Sequence, residues 1–168
     1  MKPDVFGDLR DWGRVLALLR LFEEKGTLDE VQEGLIRLLK YRENWQVRER
    51  AVLLARQVKS PSDELLLAVL DMMNDRTTYL DARILAAQTL AQLAPRALAR
   101  SDNGEQMREL ILSRLSTLLG VVEPPVLSES IHKALSTVEL AEMPTEAHYK
   151  GSEEKSYGYS GAQRDHAK

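Results

Sequence analysis

Apolar residues recur along this chain at steps of three and four, the spacing that puts them on one face of a helix. The first stripe, within about 8–24, is Trp12, Val15, Leu16, Leu19 and Phe22, and Gly26 follows as a C-terminal stop. Thr27-Leu28-Asp29-Glu30 reads as a capping box launching a second helix with Val31, Leu35, Ile36, Leu38 and Leu39. A third stretch runs from Trp45 to Val58. Ser60-Pro61 then predicts an N-cap with proline at the first helical position, opening a helix with Leu65, Leu66, Val69, Leu70 and Met73. Thr78 and Asp81 open a fifth, carrying Ile84, Ala87, Leu90 and Leu93 and stopped at Pro95. The sixth spans about 105–119 and ends at Gly120. The seventh starts near Pro125 with the stripe Leu127, Ile131, Leu135 and Val138.

The stripes repeat. Gly13-Arg14, Ala17 and Leu21 recur as Val47-Arg48, Ala51, Ala55 and Val58, and again as Ala82-Arg83, Ala86, Leu90 and Leu93, at steps of 34 and 35. The alternate helices keep the first of these steps: Val31, Leu35, Ile36 and Leu39 map onto Leu65, Val69, Leu70 and Met73. The third helix of that set fits only at a step of 46, through Ile111, Leu115 and Leu119, which lengthens the connection Ala94–Gly104 by about eleven residues. The seventh helix matches the first set at 45, with Ser128 in the arginine slot. A period in the thirties that pairs two unlike helices, here A and B, marks an α-solenoid.

Asn44-Trp45-Gln46-Val47-Arg48-Glu49-Arg50-Ala51, with Ala55 and Val58 beyond, resembles the first helix of a HEAT repeat. That family's pattern has an Asp, often a Trp, then Val-Arg and a small residue three positions later. Asn44 stands in place of the Asp, and Gly13 and Glu24 occupy aliphatic positions of the first unit. The resemblance covers about 8–140. It implies an all-α fold for 1–141: a short right-handed α-solenoid of about three HEAT-like helix pairs plus a terminal helix. In it B helices line the concave face, and Arg14, Arg48 and Arg83 form a structural ladder with acids such as Asp11 or Asp81. A tetratricopeptide motif would need Leu-Gly three and four residues after the tryptophan, where Val15-Leu16 and Arg48-Glu49 stand. An irregular helical bundle is the alternative architecture.

Composition changes the picture in two respects. Aromatic residues are 5% of the chain, too few for the cross-strand pairs that stiffen sheets, which supports the all-α reading. Twenty-three Lys+Arg against 26 Asp+Glu give a net charge of −3, which makes nucleic acid an unfavoured partner. Acids outnumber bases six to two in the first two B stretches (28–41, 62–74). Most of those acids lie in first turns, where the helix dipole favours them.

Candidate chemistry is sparse. The sequence has no cysteine, and His132 is the one histidine before position 142, so neither a thiolate site nor a histidine metal set is expected. No phosphate loop or nucleophile elbow occurs, and no cofactor is expected. The opening MKPDVFGDLRDWGR lacks a signal-peptide apolar core and no run is long enough to span a membrane, so no membrane insertion and a cytoplasmic location are expected.

Two regions remain as interaction candidates. The connection Ala94–Gly104 carries Arg96 and Arg100. The segment 142–168 has no Leu, Ile or Val, predicting a flexible tail, yet it holds Tyr149, Tyr157 and Tyr159, three of the five tyrosines. The expectation is a non-enzymatic scaffold or adaptor that binds protein partners within a multi-subunit complex. HEAT-like folds also occur in bilin lyases and in a DNA-glycosylase family, so the alternatives are a HEAT-like enzyme or chromophore-lyase-type accessory protein, and a nucleic-acid-binding protein.

Overall fold

In the computed structural model, which describes residues 5–100 and 102–141, every regular element is a helix. These are α1 (Trp12–Lys25), α2 (Gln32–Lys40), α3 (Trp45–Ala55), α4 (Asp63–Asn74), α5 (Leu80–Leu98), α6 (Gly104–Leu119) and α7 (Pro125–Glu139), with a 3-10 turn at Leu28–Val31 before α2. Odd helices pack on odd helices in order: α1 on α3, α3 on α5, α5 on α7. Even helices do the same, α2 on α4 and α4 on α6, while α2 also meets α3, α4 meets α5 and α6 meets α7. The core between these two sets is continuous, running from Phe6 and Val15 through Ala51, Leu70 and Ala86 to Ile131 and Val138. Ala51 and Ala86, the small residues at one repeat position, are both fully buried.

Local chemistry explains four of the helix ends. Asp11, Asn44 and Ser62 each accept a hydrogen bond from the amide three residues on, capping α1, α3 and α4. Gly26 closes α1 with φ +64°. Its N–H donates to Glu23 O and that of Thr27 to Phe22 O, a paired arrangement that needs a left-handed residue where glycine carries no penalty.

Several expected boundaries move. The Thr27 side chain makes no capping bond, because the chain first makes a 3-10 turn in which Asp29 receives Lys59 N at 3.2 Å and Ser60 N at 2.7 Å. Ser60 is therefore part of a docked loop, its carbonyl accepting from Gln32, and Ser62 rather than Ser60 starts α4. Tyr79 occupies the N-cap of α5, and Thr78 instead donates to Asp75 Oδ2 at 3.1 Å.

Pro95 does not end its helix; α5 continues to Leu98, and the long connection expected over Ala94–Gly104 shrinks to Ala99–Asn103. A proline inside a helix costs about 3 kcal/mol. Against that, the extra turn buries Ala97 and Leu98, and Arg96 donates to Val58 O and Arg56 O at 2.7 Å each. One buried Leu contributes about 1.5–3 kcal/mol and each charge-assisted hydrogen bond about 1.5–3 kcal/mol, so continuation wins.

The first repeat unit is also out of register with the sequence reading. Gly13, Arg14, Ala17 and Leu21 face solvent, and α1 buries Val15 and Leu19 instead. The caps Asp11 and Asn44, and the tryptophans Trp12 and Trp45 that follow them, are separated by one position fewer than the assumed step. Position 15, not 14, therefore matches Arg48, and a valine occupies it.

The N-terminal segment closes the first layer. Phe6 is fully buried, meets Phe22 edge-on at 5.9 Å, and lies over Gly34 of α2 so closely that a Cβ there would overlap its Cδ2 and Cε2 atoms. Gly34→Ala is expected to displace Phe6 and destabilise the protein by about 1–3 kcal/mol despite alanine's better helix propensity. Urea unfolding of Gly34→Ala, Phe6→Ala and the double variant checks this. The two costs should be strongly non-additive, and simple additivity would mean that the ring does not need the glycine.

Candidate functional site

Buried arginines organise the ends of these helices. Arg48, on α3, donates from Nε to the carbonyl of Leu39 at the end of α2 (2.9 Å), and Arg83, on α5, donates from Nε to the carbonyl of Met73 at the end of α4 (2.8 Å). Leu39 and Met73 are one repeat step apart, and so are Arg48 and Arg83. Each guanidinium then meets a carboxylate from the next connection. Arg83 forms a two-pronged pair with Glu123 at 3.0 and 2.8 Å, and Arg48 lies 3.7 Å from Asp75. A second arginine joins each carboxylate from the surface side: Arg42 on Asp75 at 3.3 Å, and Arg76, one repeat step later, on Glu123 at 3.5 Å. The same rung thus occurs twice.

The acids take their electrostatics from these contacts. Glu123 is held below the ordinary glutamate range by its hydrogen bonds to Arg83, against the cost of burial, with the charges of Arg83 and Arg76 adding. Burial by itself would raise the Asp75 carboxyl, but hydrogen bonds from Thr77 and Thr78 and the charge of Arg42 outweigh it and bring it down.

The ladder expected from sequence therefore changes in membership and partners. Arg48 and Arg83 belong to it; Arg14 does not, being exposed, with only its backbone N–H bound to Asp11. The acids are Asp75 and Glu123 rather than Asp11 or Asp81. α1 also follows no described helix that could offer Arg14 a terminal carbonyl. Arg96 is engaged within the fold on the carbonyls closing α3, and Arg100 donates to Ser60 Oγ at 2.6 Å. Arg108 of α6 donates to Val138 O and Glu139 O, capping α7 in a way that no repeat position signalled. Tyr149, Tyr157 and Tyr159 lie outside the described residues.

The side chains left facing outward form a different feature. Trp12 and Trp45 are the first residues of α1 and α3, Tyr79 and Leu80 begin α5, and Val122 and Val126 flank the start of α7. These ends lie along one edge. Trp12 Nε1 donates to Tyr41 Oη before α3, Trp45 meets Tyr79 edge-on at 6.0 Å, and Arg83 near the start of α5 pairs with Glu123 before α7. Trp12 is 45% exposed, Trp45 51%, Tyr79 67% and Val122 98%, so this edge carries large apolar groups in water rather than in the core. Between α3 and α5 it dips into a cleft of about 300 Å³ lined by Trp45, Glu49, Tyr79, Asp81 and Ala82. The sequence reading placed Trp12 on the first apolar stripe, but at the first position of α1 it is left half exposed. Trp45 served there only as a repeat marker, and the usable signal was its place two residues before Val47, off that stripe.

Among the described residues, no cluster of His, Asp or Glu could hold a metal ion, and no helix is long and apolar enough to cross a membrane. Comparison with protein-family models, curated proteins and solved structures finds no match to this chain.

The Arg83–Glu123 pair leaves 6% and 5% of its side chains accessible, so removing one partner strands a buried charge. Glu123→Ala is expected to cost about 3 kcal/mol, the low end for a broken buried pair because Arg83 keeps the Met73 carbonyl. A carboxyl whose folded pKa is depressed binds more protons in the unfolded chain, so stability falls as pH falls. The contribution is complete above the ordinary glutamate value of about 4.3 and disappears as pH falls through the lower folded value. Urea unfolding at neutral pH and near pH 3 checks this. The gap between wild type and variant should narrow in acid, and a constant gap would remove the electrostatic account.

Proposed function

We propose that this chain is a non-enzymatic adaptor that holds a protein partner along the edge where α1, α3, α5 and α7 begin. The observation that carries this reading is the row of exposed Trp12, Trp45, Tyr79 and Val122. Trp and Tyr are the residue types most enriched among interface hot spots, and contiguous exposed apolar surface marks interaction sites in soluble folds. Beneath the row, the Arg48–Asp75 and Arg83–Glu123 rungs fix the helix starts, so little backbone ordering is needed on binding.

The scaffold form we propose is a short right-handed HEAT-like solenoid. Its support is the rung repeated at a step in the mid-thirties and the packing of odd on odd and even on even helices. A nucleic-acid role has less support, since Arg48, Arg50, Arg83 and Arg96 on the odd helices are all occupied within the fold.

Replacing Trp45, Tyr79 and Val122 together by Ser should leave the protein folded, with a lowered melting temperature that reflects the half-buried Trp45 more than the better exposed Tyr79 and Val122. It should abolish quantitative co-purification of the wild-type chain's partners from its native extract. An unchanged partner set in the folded variant would place the docking surface elsewhere.

A further inference from the structure

The cleft between the starts of α3 and α5 combines two kinds of chemistry. Trp45 and Tyr79 line it with their rings, inclined at 68° to one another with centroids 6.0 Å apart. Glu49, one helical turn after Trp45, and Asp81, two residues after Tyr79, add two carboxylates. Among the described residues, neither carboxylate has a hydrogen-bonded or ion-paired side-chain partner. This sets them apart from Asp75 and Glu123 nearby, each of which holds two arginines. A volume of about 300 Å³ is at the bottom of the range of ligand pockets and suits one long side chain better than a whole metabolite.

We infer that this cleft is a receptor for an arginine side chain projecting from a protein partner, with the guanidinium stacked on Trp45 and Tyr79 and paired with Glu49 and Asp81. Aromatic ring faces attract a cation through their quadrupoles, and Arg is the cation most often found there. Its planar fork also matches a carboxylate in a way that the point charge of lysine does not. The two helix starts oppose a cation, each end being equivalent to about half a positive charge. The carboxylates of Glu49 and Asp81 are full charges lining the cleft itself, against about half a charge at each helix start. An anionic partner group would meet both carboxylates and is disfavoured.

The inference rests on the reading of this edge as a docking surface, and its test separates the two. The probe is the capped tripeptide acetyl-Gly-Arg-Gly-amide, titrated into the full chain while the Trp45 indole N–H resonance is followed by NMR. Its neutral isostere, with citrulline in place of arginine, and acetyl-Gly-Lys-Gly-amide serve as comparisons. The arginine peptide should move the Trp45 signal saturably and leave that of Trp12 in place. The citrulline peptide should bind at least ten-fold more weakly and the lysine peptide should fall between. Glu49→Gln with Asp81→Asn removes both charges without breaking any side-chain hydrogen bond or ion pair of the described residues, and should reduce arginine binding at least ten-fold while the melting temperature falls only slightly, by the loss of Asp81 from the first turn of α5. Equal binding of arginine and citrulline peptides, or full binding by the double variant, would overturn the cation assignment while the edge could still dock a partner. No movement of the Trp45 signal up to tens of millimolar arginine peptide would overturn it as well. Loss of the docking edge itself is read only from the serine variant's partner set.

Discussion

A guanidinium placed on the last carbonyls of a neighbouring helix is the interaction on which this architecture depends. Every α-helix ends with four carbonyls that have no partner inside it, and its dipole concentrates negative potential there. Short helices such as the nine-residue α2 and the eleven-residue α3 have a large share of their backbone in that condition. Arg48 serves the end of α2, Arg83 the end of α4, Arg96 the end of α3 and Arg108 the end of α7. Each contact also joins two helices, so satisfying the backbone and fixing the packing are one event. The buried charge this introduces is tolerable because Asp75 and Glu123 neutralise Arg48 and Arg83.

The helix content, the order of elements and the core stripe were legible because apolar spacing of three and four reports directly on burial, and Leu35, Leu70, Leu90 and Ile131 are indeed at the centre. The second and third arginines of the ladder were legible for the same reason, since their positions are locked to that stripe. What escaped was decided by distant partners. Pro95 carries a local stop signal, but the carbonyls that retain its helix belong to residues about forty positions earlier. Thr27 and Ser60 carry cap chemistry, yet Asp29 reaches across and recruits the second loop. Nothing in the sequence around Gly34 signals the Phe6 ring that lies over it. For the candidate site, position in the repeat could locate Trp45 but could not bring Tyr79, a full repeat further along the chain, against it.

The aromatic edge and the arginine rungs occupy the same end of the odd helices, in two layers. The inner layer is charged, paired and shielded; the outer layer is aromatic and open. This order suits recognition. Rigid rings with two side-chain torsions lose little entropy on binding, and the ion pairs below restrain the backbone that carries them. Glu49 and Asp81, without side-chain partners among the described residues, line the cleft between two aromatic starts.

The repetition of the rung has a consequence for how such a chain could lengthen. Residues 42–75 contain Arg42, Arg48, the terminal carbonyl of Met73 and the Asp75 carboxylate. A tandem copy of this segment inserted after Asp75 would place its own Arg48 against the original Met73 carbonyl and its own Asp75. It would then offer a fresh Met73 carbonyl to Arg83. Both rung arginines would find acceptors of the kind they have now, whereas the copied Arg50 and Gln57 would find no acid where Glu23 now stands. The segment 76–123 lacks that interchangeability, because its even helix fits only at a longer step and Arg96 is anchored to the loop before α4. The rung itself therefore carries over into a duplicated segment, and the contacts that would need new partners are those of Arg50 and Gln57 with Glu23.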